Sequence, residues 1–403
     1  MKARIGVVLK NPIKSFLCFL CAVSGIHSQS LNPTGGGGMH DPVMIKEGNT
    51  YFIYATTGAY TSTDKVKWSR ASGFVPSASW QSQQVPGHAG YWAPDISYRD
   101  GKYWLYYSMS TFGSQHSAIG LATKTTLIGG GTFEDQGLAV KSPSSDGNYN
   151  AIDPNAIEDG NGNVYLNWGS WWDGIFIRQL DPKTGKFLDT ASTTNIATRV
   201  RTNMGIEGAF IIRTRGYFYL FVSWDKCCAG LKSTYNMRIG RSKNVTGPYM
   251  DMSGVAMLKG GGTLLADGSQ FAGGHNGIFE EDGQFYVVYH VYKQQGSDLE
   301  IRYLYFDKDN WPTFDRSMSA DLNQAAARSV KKESLLPSSF RYPMSFTTDG
   351  DYRLSLFDFQ GKSLLRKQVS SNKPVQFPGI KPGSYYLQLN SKERTYKQRI
   401  IVY

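Results

Sequence analysis

Three carboxylates stand in settings that invite chemistry: Asp41 in Met39-His40-Asp41-Pro42, Asp153 in Asn150-Ala151-Ile152-Asp153-Pro154-Asn155, and Glu207 in Gly205-Ile206-Glu207-Gly208-Ala209-Phe210. Cleaving a glycosidic bond needs one carboxylic acid to protonate the leaving oxygen and one carboxylate to activate water or to attack directly. A third carboxylate nearby holds the acid's proton in place by raising its pKa. Asp-Pro alone is an ordinary turn signal, because Asp favours the first turn position and Pro fixes φ at the next. The chain carries its own control in Asp181-Pro182-Lys183-Thr184-Gly185, which reads as a hairpin turn without chemistry. What sets Asp41 and Asp153 apart is the sequence around them.

That sequence resembles the inverting, arabinan-degrading members of glycoside hydrolase family 43, most closely the endo-1,5-α-L-arabinanases. The matching stretches are HDP (40–42), YWAPDI (91–96), STFGSQHSAIG (110–120), NAIDPNAI (150–157), WGSWWDGI (168–175), IEGAF (206–210), SWDKCCAG (223–230) and GGHNG (273–277). They fall in the family's order and cover roughly residues 37–315; each alone is weak, the ordered set specific. The resemblance implies Asp41 as general base, Glu207 as general acid and Asp153 as the residue that tunes and orients Glu207. Ile206, Ala209 and Phe210 beside Glu207, and the charge of Asp153, would raise its pKa.

Substrate contacts implied by the same motifs are Trp92, Trp171 and Trp172 as stacking surfaces, with Gly113, Asn150, Ala151, Ile152 and Ser170 in the sugar-contacting loops. The family commonly has an aromatic such as Phe where this chain has Trp171, which bears on one subsite. Read from its loop alone, His275 is a hydrogen-bonding residue in a tight turn. The resemblance makes it the ligand of an axial calcium ion otherwise surrounded by water, an unusual arrangement for a cation that prefers oxygen. For Cys227 and Cys228 a vicinal disulfide and two buried thiols stand as alternatives. Within the family, exo-acting arabinanases, arabinofuranosidases and β-xylosidases are the alternatives to endo action, and a non-catalytic sugar-binding protein is the alternative outside it.

The elements that position these residues recur. A Gly-containing turn followed by an aromatic strand appears five times: EGNTYFIYAT (47–56), RDGKYWLYYSMS (99–110), EDGNGNVYLNWGS (158–170), RTRGYFYLFVS (213–223) and EDGQFYVVYHVY (281–292). Short strands at a regular period, turn signals and no long amphipathic helix predict an all-β fold, a five-bladed β-propeller, with a β-sandwich as the competing reading. Aromatics at 14% and 44 Gly in 403 residues, with 19% charged, agree with a sheet-rich chain. In such a fold the first strand of each blade lines the channel, so Asp41, Asp153, Glu207 and His275 converge.

The two ends differ in texture. Lys2, Arg4, Lys10 and Lys14 precede an apolar run from Phe16 to Val23, the layout of a secretory signal peptide over 1–28; Cys18 and Cys21 lie inside it. The propeller is assigned to 29–320. Residues 321–403 form a linker and a small β-rich C-terminal domain, which in LFDFQGK, GIKPGSYYLQL and RIIVY resembles the sorting domain of type IX secretion substrates. An accessory carbohydrate-binding domain is its alternative. The net charge of +11 belongs to the ends: residues 1–28 hold four Lys and Arg and no acid, and residues 331–403 hold 13 Lys and Arg against five Asp and Glu, leaving −1 between. A nearly neutral central domain excludes a nucleic-acid partner. The expected partners are arabinan or its oligosaccharides, with export or cell-surface machinery acting on the C-terminal domain, and no stable membrane span.

Overall fold

In the computed structural model the protein is described over residues 29–319, apart from 36, 73–74, 200–204 and 267–272, and in its C-terminal part over 339–340, 345–346, 351–357, 363–370, 375–377, 380–381, 383–391 and 395–402. The expected signal peptide, Cys18, Cys21 and most of the expected linker lie outside these residues. The chain divides into two compact units, Met1–Leu322 and Asn323–Tyr403.

The larger unit is built from five successive four-stranded antiparallel sheets, each pairing its strands in chain order. The first holds β1 (Val43–Glu47), β2 (Thr50–Ala55), β3 (Gly58–Ser62) and β4 (Ser69–Ala71). The second holds β5 (Trp92–Arg99), β6 (Lys102–Met109), β7 (Ser117–Lys124) and β8 (Glu134–Ser142). The third holds β9 (Asn155–Glu158), β10 (Val164–Trp168), β11 (Ile175–Leu180) and β12 (Thr194–Ala197). The fourth holds β13 (Ile206–Thr214), β14 (Tyr217–Trp224), β15 (Asn236–Ser242) and β16 (Thr263–Ala266), and the fifth β17 (Gly273–Glu281), β18 (Gln284–Tyr292), β19 (Ser297–Phe306) and β20 (Pro312–Thr313). Each aromatic repeat of the sequence forms the second strand of its sheet.

These second strands are apolar at nearly every position because both faces are buried, and period-two alternation sends neighbouring side chains to different cores. Phe52 and Tyr54 pack with Leu105 and Tyr107 of the second sheet, whereas Tyr51 and Ile53 pack with Tyr286 and Val288 of the fifth. Trp104 and Tyr106 join Leu166 and Trp168; Leu220 and Val222 join Ile175 and Ile177; Tyr219 and Phe221 join Val287 and Tyr289. Every sheet thus shares one hydrophobic cluster with the sheet before it and one with the sheet after. The first strands follow the same cycle, β1 beside β5, β5 beside β9, β9 beside β13, β13 beside β17, and β17 back beside β1.

The return of the fifth sheet to the first is fastened by polar contacts. Glu281 accepts from Lys46 at 2.5 Å, Lys65 at 2.6 Å and Tyr51 at 3.0 Å. Burial would raise the Glu281 pKa, but the two lysines and the tyrosine outweigh it and push it down to about 2. The N-terminal segment bridges the same junction: Leu31 N–H donates to Ile301 O at 2.9 Å and Thr34 N–H to Val66 O at 2.7 Å.

The smaller unit is also all-β. One sheet runs β21 (Ser339–Phe340), β27 (Thr395–Val402), β26 (Gly383–Asn390), β23 (Tyr352–Phe357) and β24 (Ser363–Val369), and β22 (Ser345–Phe346) pairs with β25 (Val375–Gln376). Leu354 and Leu356 pack on Leu387, Leu389 and Ile400, and Arg353 is exposed. No helix among the described residues is long and apolar enough to cross a membrane.

Candidate active site

The first strands begin at one end of the larger unit, and each has a left-handed residue within two positions of its first residue: Asp41 (φ 53°), Ala93 (φ 39°), Asp153 (φ 59°), Gly208 (φ 58°) and His275 (φ 52°). Such values are unfavourable for residues other than glycine and persist where surrounding structure enforces them. Strand pairing is interrupted at three of these kinks, between Trp92 and Asp95, Glu207 and Phe210, and Gly274 and Gly277. Such bulges re-aim side chains at sheet ends. Here they bring Asp41, Asp153, Glu207 and His275 to one cavity of about 810 Å³.

Asp41 is 8% exposed and nearly encircled. Its Oδ2 accepts from Thr56 Oγ1 at 2.6 Å and lies 2.8 Å from His40 Nδ1. Its Oδ1 is 3.1 Å from His275 Nδ1 and 3.5 Å from His290 Nδ1. Burial works to raise the Asp41 pKa, but His275, His40 and His290 together hold it well below the usual carboxylate range. It is held as a carboxylate.

Asp153 is buried, and its Oδ2 accepts the N–H of Gly208 at 3.0 Å, which ties it to the residue following Glu207. Burial, partly opposed by His275 and reinforced by the Glu207 and Asp41 charges, pushes its pKa up to about 7. Glu207 receives Ser170 Oγ at 2.6 Å on Oε2 and the Tyr235 hydroxyl on Oε1. Burial and the Glu207 charge hold the Tyr235 phenol well above its ordinary pKa, so it stays a neutral hydroxyl.

Of the expected sugar contacts, Trp92, Gly113, Asn150, Ile152, Ser170, Trp171 and Trp172 line the cavity. Ala151 does not: it is fully buried behind the wall with Tyr149 and Trp168, its N–H bonded to Ser142 Oγ. Ser170 lines the cavity with a hydroxyl already bonded to Glu207. Asn150 is oriented by Ser117, whose hydroxyl donates to its Oδ1 at 2.6 Å. Trp171 is 40% exposed and rests on Gly205, where an added Cβ would meet its ring at 2.7 Å. Cys227 and Cys228 form a disulfide at the cavity wall, which decides between the two alternatives left by the sequence. Asp181, the control, forms a turn closed by Gly185 N–H to its carbonyl at 2.9 Å.

His275 stands at the kink opening β17 rather than in a loop. Because Asp41 occupies its Nδ1 side, Nε2 carries the lone pair available to a cation. The next residue, Asn276, is 2% exposed with both amide atoms lacking a protein partner, as is His290 Nε2. Buried polar atoms of this kind call for water or an ion. The Asp41 carboxylate and the unpartnered Asn276 amide beside His275 would suit a hydrated calcium ion, although His40 and His290 also bring imidazoles to Asp41.

Sequence reasoning missed His40, Thr56, Tyr235, His290 and Tyr292. A signal for Tyr235 existed in the paired glycines of GGHNG: a Cβ at Gly274 would meet the Tyr235 ring at 2.5 Å, and glycine in a strand marks such close approach.

Residues 30–312 match the model for glycosyl hydrolases family 43, and residues 337–403 match the secretion system C-terminal sorting domain. The chain is 43% identical over 282 residues to an extracellular endo-α-(1→5)-L-arabinanase of Bacillus subtilis (strain 168), covering 68% of this chain and 85% of that protein. It is 36% identical over 325 residues to an extracellular exo-α-(1→5)-L-arabinofuranosidase of Cellvibrio japonicus (strain Ueda107), covering 75% and 91%. The structure of a family 43 endo-arabinanase from Bacillus licheniformis superposes with a TM-score of 0.65 at 42% identity, covering 70% of this chain and 99% of that one. The chain belongs to glycosyl hydrolases family 43 and ends in a secretion system sorting domain.

Proposed function

We propose that the protein is a secreted arabinanase, built on a five-bladed β-propeller, that hydrolyses internal α-1,5-L-arabinofuranosidic linkages with inversion. The observation that carries this reading is the meeting of an ionised Asp41, a proton-retaining Asp153 and Glu207 at one aromatic-walled cavity. The five sheets with their cyclic shared cores support the propeller. Residues 1–28 as signal peptide, 29–320 as catalytic domain and 321–403 as linker and sorting unit complete the assignment.

In this mechanism Asp41 takes a proton from water as the water oxygen bonds to the anomeric carbon. The bond from that carbon to the leaving oxygen breaks as Glu207 delivers its proton there. Asp153 holds the Gly208 N–H, which fixes the backbone that carries Glu207. Ser170 and Tyr235 fix the two oxygens of Glu207. Trp92, Trp171 and Trp172 offer faces to furanose rings, with Asn150 and the Gly113 and Ile152 backbone at their edges. Calcium held by His275 would supply positive charge and ordered waters beside Asp41 and Asp153.

Linear arabinan tests the reading. Viscosity should fall well before reducing ends accumulate, and the first product seen by proton NMR should be the β-anomer. Release of a single short product from one end would favour exo action, the reading supported by the Cellvibrio relative. Initial α-anomer would refute inversion.

A further inference from the structure

Cys227 and Cys228 line the cavity that holds Asp41 and are bonded to each other. A bond between adjacent cysteines closes a small covalent ring around the peptide that joins them, so this part of the wall cannot relax as an open loop would. Cys228 sits at φ 61°, a left-handed value that the ring helps to keep. Its N–H is thereby aimed at one acceptor, the Tyr292 hydroxyl at 2.9 Å, which also lies 3.9 Å from Cys228 Sγ. The same hydroxyl meets His40 Nε2 at 3.1 Å, and His40 Nδ1 lies 2.8 Å from Asp41 Oδ2. The His40 ring stacks at 3.9 Å on His290, whose Nδ1 accepts the Asp41 N–H at 3.2 Å. An unbroken chain of polar contacts runs from the disulfide to Asp41.

We propose that the Cys227–Cys228 disulfide is a positioning device for the catalytic base, acting through Tyr292 and His40 to fix the Asp41 carboxylate. The inference rests on the catalytic reading above and deepens it. Opening the ring frees Cys228 to leave the left-handed region and carries its N–H away from Tyr292. The hydroxyl can then rotate, and His40 loses the partner that sets its plane. Thr56 and His275 still hold Asp41, so the carboxylate is loosened rather than released. A small misplacement of a reacting group is enough to slow the chemical step while substrate still binds.

The experiment uses the full chain before and after dithiothreitol. Reduction breaks the sulfur–sulfur bond, forms two cysteine thiols and leaves dithiothreitol as its cyclic disulfide; thiol counting confirms each state. On linear arabinan, kcat should fall about tenfold with KM held within about twofold, and reoxidation should restore it. Amide exchange across residues 39–42 should quicken on reduction. Tyr292→Phe, with the disulfide intact, should show the same kcat loss, and reducing that variant should add no further loss. An unchanged kcat, an effect confined to KM, or losses that simply multiply would overturn the proposal. An oxidised protein that never cleaves arabinan would sink the catalytic reading by itself, and the exchange measurement would still decide whether the disulfide holds the Asp41 segment.

Discussion

Asp153→Asn separates charge from shape at the centre of the site. The amide oxygen of asparagine can still accept the Gly208 N–H that Asp153 Oδ2 accepts at 3.0 Å, so the backbone beside Glu207 keeps its anchor. What disappears is a buried charge. Burial and the neighbouring carboxylates push the Asp153 pKa up to about 7 from an ordinary 3.8, so the folded protein binds this proton more tightly than the unfolded chain does. Stability from this group is therefore fully present below pH ~4 and is lost as pH rises through ~7. A shift of that size corresponds to roughly 4 kcal/mol as an upper bound. Coupling to neighbouring charged groups divides the figure, leaving about 2 kcal/mol for the substitution to recover at pH 8. The assay is thermal unfolding of wild type and variant from pH 4 to pH 8, with arabinan turnover alongside. Relative to wild type, the variant should melt several degrees higher at pH 8 than it does at pH 4, with turnover down by at least ~100-fold. A stability difference that stays constant across this range would refute the raised pKa, and near-normal turnover would remove Asp153 from the acid's support.

Four further outcomes are expected. Asp41→Asn and Glu207→Gln should each reduce arabinan hydrolysis by at least ~1,000-fold with melting temperature retained, and a substrate with a good leaving group should partly rescue Glu207→Ala but not Asp41→Ala; equal rescue of both would undo the assignment. Chelation, or His275→Ala, should lower turnover more than it lowers melting temperature, and an unaltered rate after verified metal removal would eliminate calcium from the mechanism. Glu281→Gln should destabilise the larger unit by about 2 kcal/mol at neutral pH by stranding Lys46 and Lys65; because the Glu281 pKa is depressed to about 2, this advantage of wild type should shrink as pH falls from about 4 toward 2 in urea titrations. A protein ending at residue 330 should fold and hydrolyse short arabino-oligosaccharides at the full rate, whereas misfolding would make the C-terminal unit part of the enzyme's structure.

The repeat was legible because second strands buried on both faces leave an unusual signature, five aromatic runs each preceded by a glycine turn. The first strands were not, although they carry the site. Asn155–Glu158 is four residues long, with Asn155 buried and Glu158 exposed, and Ile206–Thr214 contains a glycine and a bulge. Neither shows a clean period of two. Their role follows from position in the ring, which is set by long-range contacts that no local pattern encodes. The C-terminal strands were easier, since Leu354 and Leu356, like Leu387 and Leu389, enter one core at every second position.

Within the site, legibility tracked how local each residue's purpose is. Asp41 and Asp153 could be found because Asp-Pro is a conspicuous pair and aspartate tolerates the left-handed backbone that both adopt. Ala93 and His275 occupy the equivalent kinks without any residue-level sign, held there by the sheets on either side rather than by their own preference. His40, Tyr235, His290 and Tyr292 look like core or turn residues in sequence, and two of them, His290 and Tyr292, sit in a strand whose composition is already aromatic. Each acquires its task only when sheets far apart in the chain close together: His290 reaches Asp41 across 249 positions, and Tyr292 reaches His40 across 252. The three carboxylates could work as acid, base and modulator on many scaffolds. What this fold adds is the ring closure that sets β18 against the Asp41 turn. Glu281 and the N-terminal segment, which fasten that closure, therefore bear on the setting of Asp41 as well as on stability.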